Sequence, residues 1–282
     1  MRNKKTLKEL TLKDNFMFGA VMSDENNCRR LLEMILQFPI ERVEVSKEKS
    51  IIYHPEQKGV RLDVYAKDEN HTHYNVEMQA VREEALEKRS RYYHSQIDME
   101  LLQCGARYPE LPDTYVIFIC DFDPFGKEKY CYTFDNKCEE VKDLHLQDGS
   151  KSIFLSTRGK NESEVPEAMV KFLRFVKADL AESTQDFEDD FVNTLQKSVQ
   201  SIKENRELEV HFMGWYEMLR DEREEGKEET AREFLLDLLS EFDNIPEDVC
   251  TRIMDENDLE VLKRWHKLAA KSGSMEQFME NM

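Results

Sequence analysis

Asp63, Glu77 and Gln79 stand in the stretch RLDVYAKDENHTHYNVEMQ, residues 61–79, at spacings that invite a cation. Side chains alternate across a strand with period two. Leu62, Val64 and Ala66 are therefore predicted on one apolar face, with Asp63, Tyr65 and Lys67 on the other. Across a turn, Tyr74, Val76 and Met78 form the apolar set, and Asn75, Glu77 and Gln79 the polar one. The segment DENHT between them has the composition of a hairpin loop. With Asn70 at its centre, Lys67 faces His73, Tyr65 faces Asn75 and Asp63 faces Glu77. Like charges directly opposite one another destabilise a strand pair. Two hard oxygen ligands at one end of a polar strip, with room for waters and a phosphate, are how Mg²⁺ is commonly held. The same letters also describe the wet face of an amphipathic hairpin, its acids slightly out of register and solvated.

The elements around this hairpin follow from periodicity. Phe16, Met17, Ala20 and Val21 lie on one helical segment; Ser23 caps a second, with Leu31, Leu32, Ile35 and Leu36, which ends at Pro39. A strand is predicted from Val43 to Tyr53, then a turn at HPEQKG. After the hairpin, EEALEKRSRYYHSQIDMELLQCGARY reads as a long helix with Leu86, Tyr93, Ile97, Leu101 and Cys104 on one face, stopping near Gly105. TYVIFICDF is a short, continuous apolar run that suits a strand buried on both faces. Shorter strands are predicted at Lys129 to Phe134 and Lys151 to Ser156. Beyond Pro166 the pattern is helical throughout. PEAMVKFLRFVKADL carries an apolar stripe, and residues 186–228 form a long charged stretch. A second stripe runs from Ala231 to Phe242, and two short helices lie between Pro246 and Lys271. The expected division is an α/β unit over residues 1–160 and an all-helical region over 161–282.

The 282 residues carry a formal charge of −19. Acids exceed bases by 6 over residues 1–150 and by 13 over residues 151–282. Such a chain repels nucleic acid at long range, so any nucleic-acid chemistry must rely on local basic residues or on a divalent metal. There is no run of 18 apolar residues, so no membrane-spanning helix is expected. The basic N-terminal stretch lacks the apolar segment of a secretory signal, which places the protein in the cytoplasm. The six cysteines are scattered without a CxxC pair, and Cys104 and Cys120 read as buried thiols.

The order helix, three strands, helix, strand, with an acid on the second strand and E-x-Q on the third, resembles the PD-(D/E)XK nuclease superfamily. The phrases KDNFMFGAVM, GVRLDVYAKDENHTHYNVEMQ, RSRYYHSQIDMELLQCGARYPEL and YVIFICDFDPF are similar to the Rpn family of recombination-promoting nucleases and transposases. The resemblance covers residues 8–160 well and the helical tail more weakly. It implies a restriction-endonuclease-like α/β core, αβββαβ with a mixed sheet flanked by helices. It also implies a metal-dependent endonuclease that hydrolyses DNA phosphodiester bonds, with Mg²⁺ as cofactor and Mn²⁺ as substitute. On that reading Asp63 and Glu77 are the metal-binding acids, and the Met78 carbonyl adds a ligand. Gln79 stands where the superfamily usually has Lys. An amide offers dipoles in place of a full positive charge, so more of the electrostatic work passes to the metal and to other cations.

Arg89, Tyr92 and Gln96, at i, i+3 and i+7 of the following helix, are candidates for that work: Arg89 on a phosphate oxygen, Gln96 on water or the acid pair. Alternatively, Arg89 pairs with Glu83 or Glu87 or is solvated. Asp14 is either a third acid of the site or a simple helix N-terminal acid. The rival to the enzyme is a nuclease-like scaffold that no longer cuts and acts by binding. The apolar stripes of the tail (Met169, Phe172, Leu173, Phe175 and Val176; Phe234, Leu235, Leu238 and Leu239) either fold back within one chain or pair two chains into a homodimer. Trp215 and Tyr216 read as apolar contacts between helices rather than base-stacking platforms.

Overall fold

The computed structural model describes residues 5–51, 60–242 and 245–282. The turn predicted at HPEQKG and the end of the first predicted strand, Ile52 and Tyr53, lie outside them. Two helices, α1 (Asn15–Met22) and α2 (Glu25–Leu36), lead into β1 (Val43–Ile51), β2 (Val60–Asp68) and β3 (His73–Gln79). Helix α3 (Leu86–Leu101) and strand β4 (Thr114–Cys120) follow, then β5 (Cys131–Phe134) and β6 (Ser150–Ser156). The strands form a six-stranded mixed sheet in the order β1-β2-β3-β4-β6-β5. β3, β4 and β6 are parallel, and the remaining pairs are antiparallel. This is the αβββαβ order of an α/β restriction-endonuclease-like core.

The hairpin has the register read from its letters: Val64 lies opposite Val76, Tyr65 opposite Asn75 and Lys67 opposite His73. Asp68 organises the turn, its Oδ1 accepting from Asn70 N at 2.9 Å and Thr72 N at 2.8 Å, while His71 takes a left-handed φ of 64°. Asp68 Oδ2 accepts from the Tyr74 hydroxyl at 2.7 Å, which ties the turn to the strand leaving it. Strict alternation fails at one place. Leu62 and Tyr65, expected on opposite faces, belong to the same apolar cluster, and the β2–β3 pairing stops between them, at Val64.

Both faces of the sheet are covered, which is why TYVIFIC is apolar without alternation. Leu86, Tyr93 and Ile97 of α3 pack on Val116, Phe118, Cys120 and Phe154, with Phe118 stacked between Tyr93 and Phe154 at centroid distances of 6.1 and 5.1 Å. On the other side α1 meets β1, β2 and β3, and α2 meets β1. Asp24, not Ser23, caps α2, its carboxylate accepting from Asn27 N at 2.9 Å. Ser23 instead closes α1, its hydroxyl donating to Gly19 O at 2.6 Å.

The chain divides into compact units at 208/209 rather than near 160. The reason lies in the apolar stripe of α4 (Glu167–Lys177): Met169, Val170, Phe172, Leu173, Phe175 and Val176 are all buried, and α4 and α5 (Asp190–Glu204) pack on α2. The predicted stretch 186–228 is broken at Asn205, in extended backbone, between α5 and α6 (Arg206–Ser240). In the second unit Leu235 and Leu239 join Val249 and Ile253 of α7 (Glu247–Met254), Leu262 and Trp265 of α8 (Leu259–Ala269) and Phe278 of α9 (Met275–Met279). Phe234, predicted on the same stripe, is exposed. Trp215 and Tyr216 sit near Phe212 on α6, with ring centroids 6.1 and 6.0 Å away. Cys120 is buried as expected, whereas Cys104 is exposed because α3 ends at Leu101. No helix among the described residues is long and apolar enough to cross a membrane.

The loop after β6 is fixed by contact. Ser156 N donates to Tyr130 O at 2.9 Å and Lys160 N to Glu128 O at 2.8 Å. A Cβ on Gly159 would stand 2.3 Å from the Tyr130 ring and 2.6 Å from its backbone nitrogen. Gly159→Ala therefore forces the loop off this segment and is expected to cost about 1–3 kcal/mol, read as a lower urea midpoint; an unchanged midpoint would show that the loop is free to shift.

Candidate active site

The carboxylates meet where the hairpin opens. One step beyond the last paired residues, Asp63 N donates to Glu77 Oε1 at 3.2 Å and Met78 N donates to Asp63 Oδ2 at 3.1 Å. Each acid thus takes a backbone N–H of the opposite strand in place of a strand carbonyl. The face that carries them is not wet: Asn75, Glu77 and Gln79 are 0%, 1% and 5% exposed beneath α3.

Burial decides the electrostatics of the pair. Burial first, then the neighbouring Glu77 carboxylate, pushes Asp63 up to about 8, against the Met78 N–H, Arg89 and Arg61. Burial also raises Glu77, although Arg89 and the Asp63 N–H pull it back. Two acids that repel each other in a dry place favour either a shared proton or a cation.

Arg89 supplies one cation. Its Nη2 lies 3.1 Å from Glu77 Oε2, Nη1 donates to Gln79 Oε1 at 3.4 Å and Nε to the Tyr93 hydroxyl at 2.8 Å. It also pairs with Glu83 outside the cluster, the ion pair expected as the alternative for this residue. The guanidinium lies over the Tyr93 and Phe118 rings, 5.3 and 5.8 Å from their centroids. Tyr93 OH reaches Glu77 Oε2 at 3.4 Å. Tyr93 was hidden in the sequence because its ring belongs to the apolar stripe of α3 and only its hydroxyl reaches the acids.

The other predicted residues are placed differently. Tyr92 is half-buried and packs against the apolar cluster under α3. Gln96 is buried on the same helix. The Asp14 carboxylate accepts from Thr11 N at 2.8 Å and pairs with Lys5 at 2.7 Å, closing the loop ahead of α1. Its hydrogen bonds lead to that loop and not to the pair.

Two further polar groups share the space under α3. His94 joins Thr114 Oγ1 at 2.9 Å and Ser152 Oγ at 3.2 Å, and His73 joins the Tyr65 hydroxyl at 2.6 Å. Burial pushes both imidazoles down to about 4, so they are neutral framework at neutral pH.

The donor set for a metal is two carboxylates and the main chain. Among the described residues no group of three or more His, Cys, Asp or Glu could hold a metal ion. A buried Glu77 beside a half-buried Asp63, both raised, fits Mg²⁺, which usually takes one or two carboxylates and fills its remaining positions with waters and phosphate oxygens. Asp63 Oδ1 accepts no hydrogen bond among the described residues, which leaves it open to a ligand.

The family described as PD-(D/E)XK nuclease family transposase matches residues 12–244 of the chain. No curated protein and no solved structure matches it.

Proposed function

The chain belongs to the PD-(D/E)XK nuclease family transposases, and from that premise we propose that it is a Mg²⁺-dependent endonuclease hydrolysing DNA phosphodiester bonds. Its setting is recombination or mobile-element movement in the cytoplasm. The observation that carries this reading is the carboxylate pair, half-buried Asp63 and buried Glu77, each oxygen set aimed across the opened hairpin.

Asp63 and Glu77 would hold the cation, with Met78 offering its carbonyl and Mn²⁺ serving as substitute. A bound divalent ion supplies Lewis-acid polarisation of the phosphate and lowers the pKa of a nearby water. Gln79 fixes Arg89 through its amide oxygen and keeps an amide N–H₂ to orient water or phosphate. Arg89, braced by Gln79, Tyr93 and two rings, brings the positive charge that the superfamily's Lys usually provides, and its planar fork suits a phosphate. α3 excludes water from this face and so strengthens each of these interactions. Tyr92 is a secondary substrate contact in this reading, buried Gln96 is left to orient water or the acid pair, and Asp14 serves the loop before α1.

One observation favours a second reading. Arg89 already neutralises Glu77, as it would in a nuclease-like scaffold that binds without cutting. Supercoiled plasmid incubated with the protein and Mg²⁺, Mn²⁺ or EDTA separates the two. Metal-dependent nicking or linearisation, lost in EDTA, is the expected result; intact plasmid in every metal, from folded protein, would leave the scaffold. A self-association surface on the helical tail would set two sites on one assembly, as double-strand cutting needs.

A further inference from the structure

The C-terminal ends of β3, β4 and β6 lie side by side and stay tied for one residue beyond the sheet. Asp121 N donates to Gln79 O at 2.9 Å, Thr157 N to Cys120 O at 3.0 Å, and Thr157 Oγ1 to Asp121 Oδ1 at 2.9 Å. The row that begins at Gln79 therefore runs without a break into a cleft of about 530 Å³ whose lining includes Arg158, Lys160, Arg174 and Lys177 together with Asp123 and Glu128. Ligands of open α/β sheets gather at this edge.

Cations from two segments line it and one from a third braces its edge. Arg158 and Lys160 come from the loop held against Tyr130, Arg174 and Lys177 from the last turn of α4, and Lys13 from ahead of α1. Lys13 bridges Asp121 Oδ2 at 3.2 Å and Lys177 O at 3.1 Å. In a chain of net charge −19 such convergence is a local reversal. The acids present are of two kinds. Asp121 and Asp123 are bound into the scaffold, Asp121 by Lys13, Arg158 and Thr157, and Asp123 by Glu128 N and the Tyr132 hydroxyl. Glu128 and Glu162, the partners of Lys160 and Arg174, are more than half exposed. Exposed pairs of this kind contribute little, so both cations can exchange a carboxylate for a phosphate at small cost.

We propose that this cleft is a second phosphate-binding subsite, one that grips the nucleic-acid backbone to one side of the scissile position. The proposal rests on the nuclease reading. Contacts of this sort set register and orientation without reading bases, so the cleft anchors substrate irrespective of sequence.

The test is binding rather than cleavage. Full-length protein is titrated with a fluorescein-labelled DNA duplex in EDTA, between about 50 and 200 mM salt. The doubly substituted Lys160→Ala/Arg174→Ala variant is expected to bind roughly tenfold more weakly for any sequence, and its log affinity against log salt to flatten by about 0.9 per cation lost. Lys263→Ala, on α8, serves as the control and is expected to bind like the parent. Equal affinity and slope in parent and double variant would overturn the subsite, as would no binding by the parent at the lowest salt. Displacement of the duplex by millimolar inorganic phosphate at constant ionic strength would show a site for the free anion and overturn it too. The two readings fail separately. Plasmid cutting without a cleft effect removes the subsite alone, whereas a cleft effect without cutting removes the nuclease chemistry and leaves a nucleic-acid-binding surface.

Discussion

Asp63→Asn is expected to abolish cleavage and, at alkaline pH, to make the metal-free protein melt at a higher temperature. Loss of activity should exceed the roughly 10–100-fold that removal of an outer-shell partner costs a metal site, since in the proposed function Asp63 is a direct ligand. The stability change follows from proton linkage. The folded carboxyl sits at about 8, against about 3.9 for an aspartate in the unfolded chain. Between those values the folded state holds a proton that the unfolded chain has released, so stability falls as pH rises through this window and is lowest above it. The Asn variant has no proton to lose. Its advantage should be absent near pH 4 and largest above about pH 8. Each pH unit between the two values is worth about 1.4 kcal/mol, so the difference reaches a few kcal/mol, or several degrees in Tm for a protein of this size. Mg²⁺ should narrow the difference. It stabilises only the protein that binds it, by about 2.7 kcal/mol at a hundredfold excess over Kd. Melting curves from pH 4 to 9 with and without Mg²⁺ test this, and parallel pH profiles for the two proteins would refute the buried-acid account.

The second large effect belongs to Arg89. Arg89→Ala leaves Glu77, 1% exposed, without its cation. Breaking a buried pair by removing one partner costs about 3–5 kcal/mol. Glu77 can escape part of that cost by taking a proton, so the loss should be smaller near pH 5 and larger near pH 8. Arg89→Lys should not rescue, because a single ammonium cannot serve Glu77, Gln79 and Tyr93 together. Arg89→Met combined with Glu77→Gln should recover most of the stability while remaining inactive, with strong non-additivity in the double-mutant cycle. Additive losses would mean that the two side chains act independently.

Much of this site could be read from the sequence because it lies on strands. Period-two alternation and a five-residue turn set Asp63 opposite Glu77, and the ladder at Val64–Val76 and Tyr65–Asn75 has that register. What lies over a strand is set by a distant segment. Nothing local to Asn75, Glu77 and Gln79 distinguishes a solvated strip from one sealed by α3. For the same reason Tyr93 read as core: its ring is core, and its hydroxyl acquires a role only once Glu77 is beneath it. Ser23 and Asp24 are both good caps, and the choice fell to the residue three before Asn27. Asn205 interrupts a charged helical stretch with no glycine or proline to announce it. The unit boundary moved because the stripe of α4 pointed inward, a direction that periodicity does not specify.

The opened end of the hairpin ties chemistry to architecture. The Asp63 and Met78 amides are held by the same carboxylates that would grip a cation, so the innermost knot of the strand pair and the proposed reactive centre share their side chains. Evolution cannot adjust one of these properties without disturbing the other. A lineage that gave up cutting would have reason to keep both acids as fasteners, and their survival in such a descendant would record how the strands are joined rather than what the protein still does.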